Sequence, residues 1–141
     1  MEEALSIYPF RPEEKALIRF YSNGDFQFLG SGTLIIRVIL NILKNALYSI
    51  AAANRGTIKL WLEDYKLIIE DTARGISTEA LPHIFDKFFT KDMTHGTGIG
   101  LAFCKMCMEE HGGDIRCESE QGHYARFIIS FPPFDLLSNK E

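Results

Sequence analysis

Apolar and polar residues follow two different periods along this chain, and the switches between them mark its elements. Residues 15–20 (KALIRF) and 25–29 (DFQFL) alternate with period two, which predicts two strands joined by a turn at Ser22-Asn23-Gly24. Ser31-Gly32-Thr33 then offers N-caps for a long helix running to about Ala53. Its apolar positions 35, 38, 39, 42, 43, 46 and 50 have helical spacing and form the core face, while Arg37, Asn41, Asn45, Ser49 and Ala52 fall on another stripe. Gly56 opens a strand, TIKLWLED, and KLIIED is its hairpin partner. A second helix is expected from about Ser77 to Phe89, with Thr78 and Pro82 near its start. A third runs from about Gly98 to His111 and stops at Gly112-Gly113. DIRCES and YARFIISF close the chain as two strands joined through Gln121-Gly122.

Helices interleaved with hairpins predict a two-layer α/β sandwich, its mixed, mostly antiparallel sheet packed on about three helices. The 141 residues suit one domain, 1–141, with its core over about 15–133 and a tail, 134–141, expected to fray beyond Pro132-Pro133. Hydrophobic residues at 46% and charged residues at 24% are the balance of a globular domain and exclude wholesale disorder. The net charge of −4 argues against a nucleic-acid binder, which would show a basic face. The richest apolar run, 34–53, is broken by Arg37, Asn41, Lys44 and Asn45, so no membrane span and no direct membrane contact are expected. The acidic start, MEEALSIYPF, lacks the order of a secretory signal. Three cysteines form no disulfide framework and suit a reducing compartment. Cys104 and Cys107 have C-x-x-C spacing, but they lie in an apolar helical stretch without a second pair, so packing is expected rather than zinc.

Four segments carry candidate chemistry. Asn41 and Asn45 in NILKNAL stand one helical turn apart, so both amides address one site, and an amide oxygen is a hard, neutral ligand suited to Mg²⁺. Asp71 in EDTARGI ends an apolar strand, where a carboxylate can accept a hydrogen bond from an exocyclic amine of the kind adenine presents. Guanine would set a carbonyl against it, at a cost of about 1–3 kcal/mol for the unsatisfied acceptor. Gly75 would let the backbone pass close to the ring. GTGIGL, residues 96–101, leads into a helix whose first N–H groups can hold phosphate oxygens, yet it matches neither the P-loop nor the dinucleotide fingerprint. IFDKFF sets Phe85, Phe88 and Phe89 at helical spacing, and the polar segment TKDMTH after it can serve as a mobile lid.

In order and spacing, NILKNA, DTARGI, IFDKFF and GTGIGLAFCK resemble the N box, first glycine box, F box and second glycine box of one family. This is the catalytic ATP-binding domain of sensor histidine kinases, within the wider group that includes gyrase, Hsp90 and MutL. HGGDIRCES and GHYARFIISFP are similar to its closing strands, so the resemblance covers about residues 15–133. The combination of DTARGI with HGTGIGLAFCKM is similar to quorum-sensing kinases of the Vibrio and Legionella kind. The resemblance implies the Bergerat α/β sandwich, with ATP held between helices and a lid. It further implies that Asn45 coordinates Mg²⁺ and that Asn41, the other member of the catalytic pair, lies near the phosphates. Asp71 would bind the adenine amino group, with Gly75 and Ile76 beside the base. Tyr48, Lys91, Gly96, Thr97, Gly98, Ile99, Gly100 and Leu101 would complete the nucleotide contacts, with Phe85, Phe88 and Phe89 anchoring the lid.

Two departures bear on the chemistry. Ala73 replaces the first glycine of D-x-G-x-G, a change small enough to keep the pocket intact. Tyr48 stands where the family often has a basic residue, which leaves phosphate charge to Mg²⁺ and to Lys44, Arg74, Lys87 or Lys91. In the hydrolysing relatives a glutamate one turn before the magnesium asparagine activates water. Here Asn41 holds that position, and an amide is no general base. The implied function is therefore transfer of the γ-phosphoryl of Mg-ATP to a histidine, by positioning and electrostatics. His83, His95, His111 and His123 all lie in the ATP domain itself. The acceptor is expected on a dimerisation domain outside this chain, and the isolated domain, a monomer, is expected to barely phosphorylate itself. A response regulator or receiver domain would act downstream. The expected location is cytoplasmic, with the parent protein anchored in the bacterial inner membrane. The alternatives are a silent nucleotide-gated interaction module and an anti-sigma-factor-type serine kinase.

Overall fold

The computed structural model describes residues 10–21, 32–89 and 100–132. In chain order the elements are α1 (Pro12–Lys15), β1 (Ile18–Tyr21), α2 (Gly32–Ala53), β2 (Ile58–Glu63), β3 (Lys66–Asp71), a 3₁₀ turn (Leu81–His83), α3 (Gly100–Glu110), β4 (Asp114–Glu120) and β5 (Tyr124–Ser130). The five strands form one sheet in the order β1-β2-β3-β5-β4. β1 runs parallel to β2, and every other neighbour is antiparallel. Helices α2 and α3 cover one face, which is the two-layer α/β architecture expected from the alternating periods.

The long helix buries the stripe its spacing marks: Ile35, Val38, Ile39, Ile42, Leu43, Ala46 and Ile50 face the sheet. They meet Ile58, Leu60, Leu67, Ile69, Ile115 and Ile129, the inward residues of four strands. Each fully buried branched aliphatic contributes about 1.5–3 kcal/mol relative to exposure. A charge at Val38 or Leu43, both fully buried, would break this contact. By length and mean hydropathy α2 is apolar enough to cross a membrane despite the interrupting Arg37, Asn41, Lys44 and Asn45. Its burial against the sheet makes it the core helix of this fold. Cys104 and Cys107 lie on the buried side of α3, and Cys104 donates to the Val38 carbonyl at 3.7 Å, as packing rather than metal binding requires. Burial pushes the Cys104 thiol up to about 12.

Three expectations fare differently. The strand placed at 15–20 starts later, at Ile18. Pro12 at the first helical position and the Glu14 carboxylate accepting the Arg11 N–H at 2.9 Å close a helical turn over PEEK instead. The strand at 25–29 and its turn at Ser22-Asn23-Gly24 lie outside the described residues, as do the tail from 133 onward and the first glycines of GTGIGL. The helix expected over Ser77–Phe89 is corrected. Only Leu81–His83 is helical there, as a 3₁₀ turn, within a chain of tight turns.

The reason is local. Pro82 has no N–H to give, and Ser77 Oγ accepts the Ala80 N–H at 3.2 Å, which starts a turn. The Leu81 N–H reaches back four residues to the Ser77 carbonyl at 3.0 Å, but the bonds after it close three apart, His83 N–H to the Ala80 carbonyl at 2.9 Å and Asp86 N–H to the His83 carbonyl at 3.0 Å. Phe88 then takes φ +64°, which no helix continues.

Candidate functional site

The polar stripe of α2 lies where that helix meets the start of α3. Asn41 and Asn45 are both half-buried. The Asn41 amide nitrogen donates to the Arg37 carbonyl at 3.0 Å, one turn back. Its carbonyl oxygen is turned toward Gly100, so close that a Cβ there would sit 3.1 Å from it. Gly100 therefore lets the first turn of α3 approach the amide. The Arg37 guanidinium lies 5.0 Å from the Phe103 ring centroid, a second tie between the two helices. Leu101 is half-buried and packs against the core rather than standing free at the helix start.

The other end of the site is the turn after β3. Asp71 pairs across the sheet with Ile58 and Ala125 and is only 4% exposed. Its Oδ1 accepts the Ala73 N–H at 3.1 Å. Burial raises its carboxyl to about 6; the Ala73 N–H and the nearby Arg74 charge pull it back, and Glu70 adds to the rise. A buried carboxylate held by one neutral donor keeps acceptor capacity for another.

The turn itself is fastened from three sides. The Gly122 N–H donates to the Arg74 carbonyl at 2.7 Å, and the Ile76 N–H to Ser119 Oγ at 2.7 Å. Ser119 Oγ in turn donates to the Tyr124 carbonyl at 2.8 Å. Gly75 adopts φ +66°, and a Cβ there would run into the carbonyls of Glu120 and Tyr124. Only glycine fits that close approach. Ala73, by contrast, is fully buried and does not have a left-handed φ, so its methyl group packs in the core where the family pattern has glycine. Thr72 Oγ1 accepts the Thr57 N–H at 3.0 Å and ties the same turn to the start of β2.

Tyr48 stands three residues beyond Asn45 on α2 and meets the turn after β3. The Arg74 guanidinium lies 5.3 Å from the Tyr48 ring centroid. Of the other candidate cations, Lys44 and Lys87 are exposed, and Lys91 lies outside the described residues together with Gly96, Thr97, Gly98 and Ile99. The structure thus brings Asn41 against Gly100, Asp71 against Ala73, Gly75 and Ile76 against the β4–β5 hairpin, and Arg74 against Tyr48. Sequence reasoning missed Ser119, which holds Ile76 from 43 residues away. The one signal was a small polar residue at an inward position of β4. The three phenylalanines do not share a face: Phe85 packs edge-on against Phe127 at 6.2 Å, Phe89 tilts against His83, and Phe88 is 73% exposed. Among the described residues no cluster of His, Cys, Asp and Glu forms a metal centre.

Residues 30–135 match the family described as Histidine kinase-, DNA gyrase B-, and HSP90-like ATPase. The chain belongs to this family, and it is of the ATP-binding catalytic type found in sensor kinases. It is 33% identical over 140 residues to the CAI-1 autoinducer sensor kinase/phosphatase CqsS of Vibrio cholerae, covering 96% of this chain and 20% of that protein. To the autoinducer 1 sensor kinase/phosphatase LuxN of Vibrio campbellii it is 33% identical over 138 residues, 94% of this chain and 16% of the relative. The chain therefore spans about a fifth or less of the length of these curated relatives. Among solved structures, the catalytic domain of histidine kinase ThkA superposes with a TM-score of 0.73 at 26% identity, over 93% of this chain and 92% of that one. The mycobacterial sensor histidine kinase MprB, at 23% identity and a TM-score of 0.70 over 94% and 93%, shares the fold.

Proposed function

We propose that this chain, as a single catalytic domain with its core over about 15–133, binds Mg-ATP and hands the γ-phosphoryl to a histidine on a separate dimerisation domain of the same kinase. The observation that carries this reading is the buried Asp71 carboxylate, 4% exposed and held by one backbone donor beside a glycine that admits no side chain. It accepts the adenine amino group, while Gly75 and Ile76 bring backbone against the base. Asn41 and Asn45 serve the phosphate end. The donor set there fits Mg²⁺: a neutral amide oxygen on Asn45 leaves the remaining positions to phosphate oxygens and water, as that ion prefers. Mg²⁺, when bound, neutralises charge on the phosphates.

Asn41 supports transfer over hydrolysis. Its amide nitrogen is engaged by the Arg37 carbonyl, and its oxygen faces Gly100, so nothing at this position draws a proton from water. Phosphoryl transfer then rests on alignment of the acceptor. The described histidines all have local partners. His83 pairs with Asp86 at 3.1 Å, His111 Nδ1 donates to the Cys107 carbonyl at 2.8 Å, and His123 lies 4.0 Å from Glu120. In this reading the isolated domain is a monomer that leaves itself nearly unphosphorylated, because its acceptor lies on the dimerisation domain. Its partners are the dimerisation domain and, downstream, a response regulator or receiver domain. It works on the cytoplasmic side of a parent anchored in the bacterial inner membrane.

The test is a calorimetric titration with Mg-ATP, followed by transfer to an added histidine-bearing dimerisation domain. Saturable binding weakened by Asp71→Asn, with transfer abolished by Asn45→Ala, is expected. Rapid phosphorylation of the domain alone, or a folded wild type that ignores ATP, would overturn the reading.

A further inference from the structure

We infer that Arg74, seated on the ring of Tyr48, is a positioning residue that covers the base end of the nucleotide site and sets affinity for the purine ring rather than for the phosphates. The inference rests on the nucleotide reading above and deepens it. Three observations lead to it. First, α2 runs from Asn41, which touches Gly100 at the start of α3, through Asn45 to Tyr48. Tyr48 therefore stands about two turns along α2 from the contact with the start of α3. Second, Arg74 lies inside the turn that begins with the buried Asp71 and ends with Gly75. Its own carbonyl is fixed by the Gly122 N–H at 2.7 Å. The side chain is thus launched from a rigid turn beside the group that accepts the base.

Third, the guanidinium lies 5.3 Å from the Tyr48 ring centroid. Among the described residues it makes no ion pair, whereas Arg126 is held by both Glu70 and Glu118. A planar cation lying on one aromatic ring keeps its second face for another, and guanidinium is weakly hydrated and stacks well. Stacking of this kind between α2 and the turn after β3 requires Tyr48 and Arg74 together, which gives a reason for an aromatic residue where the family often has a basic one. A phosphate-directed cation would gain nothing from the ring.

The experiment compares adenosine, ADP and Mg-ATP binding to the 141-residue chain by calorimetry, for the wild type, Arg74→Met, Tyr48→Leu, Tyr48→Phe and Asp71→Asn. Circular dichroism confirms that each variant is folded. Arg74→Met and Tyr48→Leu are expected to weaken all three ligands by a common factor of about 3–30, the range of a partly desolvated cation–π contact. Tyr48→Phe, which keeps the ring, restores wild-type affinity. A loss that grows from adenosine to ADP to ATP makes Arg74 a phosphate ligand and overturns the inference, as does an Arg74→Met variant that binds all three unchanged. Asp71→Asn separates the two levels. If it weakens ATP while Arg74→Met does not, the nucleotide reading stands and this inference falls; if the folded wild type binds no ligand, both fall.

Discussion

Two stretches of the same connection between β3 and α3 behave in opposite ways. Residues 72–77 leave the sheet through a turn held by Thr57, Ser119 and Gly122, partners on other elements. Residues 78–89 are held in the backbone mainly by bonds to their own neighbours, with Phe88 73% exposed at φ +64°. The first stretch carries Asp71's donor and Gly75; the second leads to the segment read as a lid. The difference teaches that the turn proposed to meet the base is built into the fold, while the stretch after it, up to residue 89, is closed by short-range turns. A turn fastened from three sides holds its geometry before the ligand arrives, so ordering costs less on binding. A turn closed only by its own bonds opens at lower free energy than the core.

The contrast can be broken most severely at Gly75. Gly75→Val would force a side chain into the Glu120 and Tyr124 carbonyls from a left-handed backbone. A loss of about 3 kcal/mol or more is expected in urea unfolding, combining backbone strain with overpacking, and ATP binding should vanish with it.

Asp71→Asn acts in the opposite sense on stability and function. In the folded protein the Asp71 carboxyl titrates near 6 against an ordinary 3.8. The folded state therefore holds this proton more tightly than the unfolded one, and the group's contribution to stability falls as pH rises from about 4 to 6. Above pH 6 the charged form costs on the order of 2–3 kcal/mol. At neutral pH the unliganded Asp71→Asn protein should thus be more stable than the wild type, and the difference should disappear below pH 4 in paired unfolding curves. ATP binding should weaken. A variant that is less stable at pH 7 would show that the carboxylate has more partners than the Ala73 N–H.

Smaller effects sharpen the comparison further. Ser119→Ala removes the acceptor of the Ile76 N–H and should cost about 1–2 kcal/mol, with weaker ATP binding because the turn loosens. Phe88→Gly relieves a left-handed φ on an exposed ring and should change stability by no more than about 1 kcal/mol, toward stabilisation. Thermal unfolding of the two variants side by side checks whether the pinned and the local turn differ as described. Equal losses would erase the distinction.

Much of this was legible in the chain itself. The buried stripe of α2 follows from spacing alone, because a helix face is set by residues three and four apart. The strands from β2 to β5 follow likewise from alternation and the turns that bound them. The Ser77–Phe89 helix misled because Phe85, Phe88 and Phe89 mimic a helical stripe, and the turn chemistry of Ser77 and Pro82 outweighed it. The parallel pairing of β1 with β2 across the long helix is not local, and no period encodes it.

The sequence by itself thus determined the long helix face, the strands from β2 to β5, the two-layer class and the absence of a base at Asn41, since these depend on residue type and on the periods of neighbouring residues. Only the tertiary structure decided that Ser119 holds Ile76, that Asp71 is buried enough to titrate near 6, and that Arg74 rests on Tyr48. Those facts join residues far apart in the chain, and packing of the sheet against α2 brings them together with their shared desolvation.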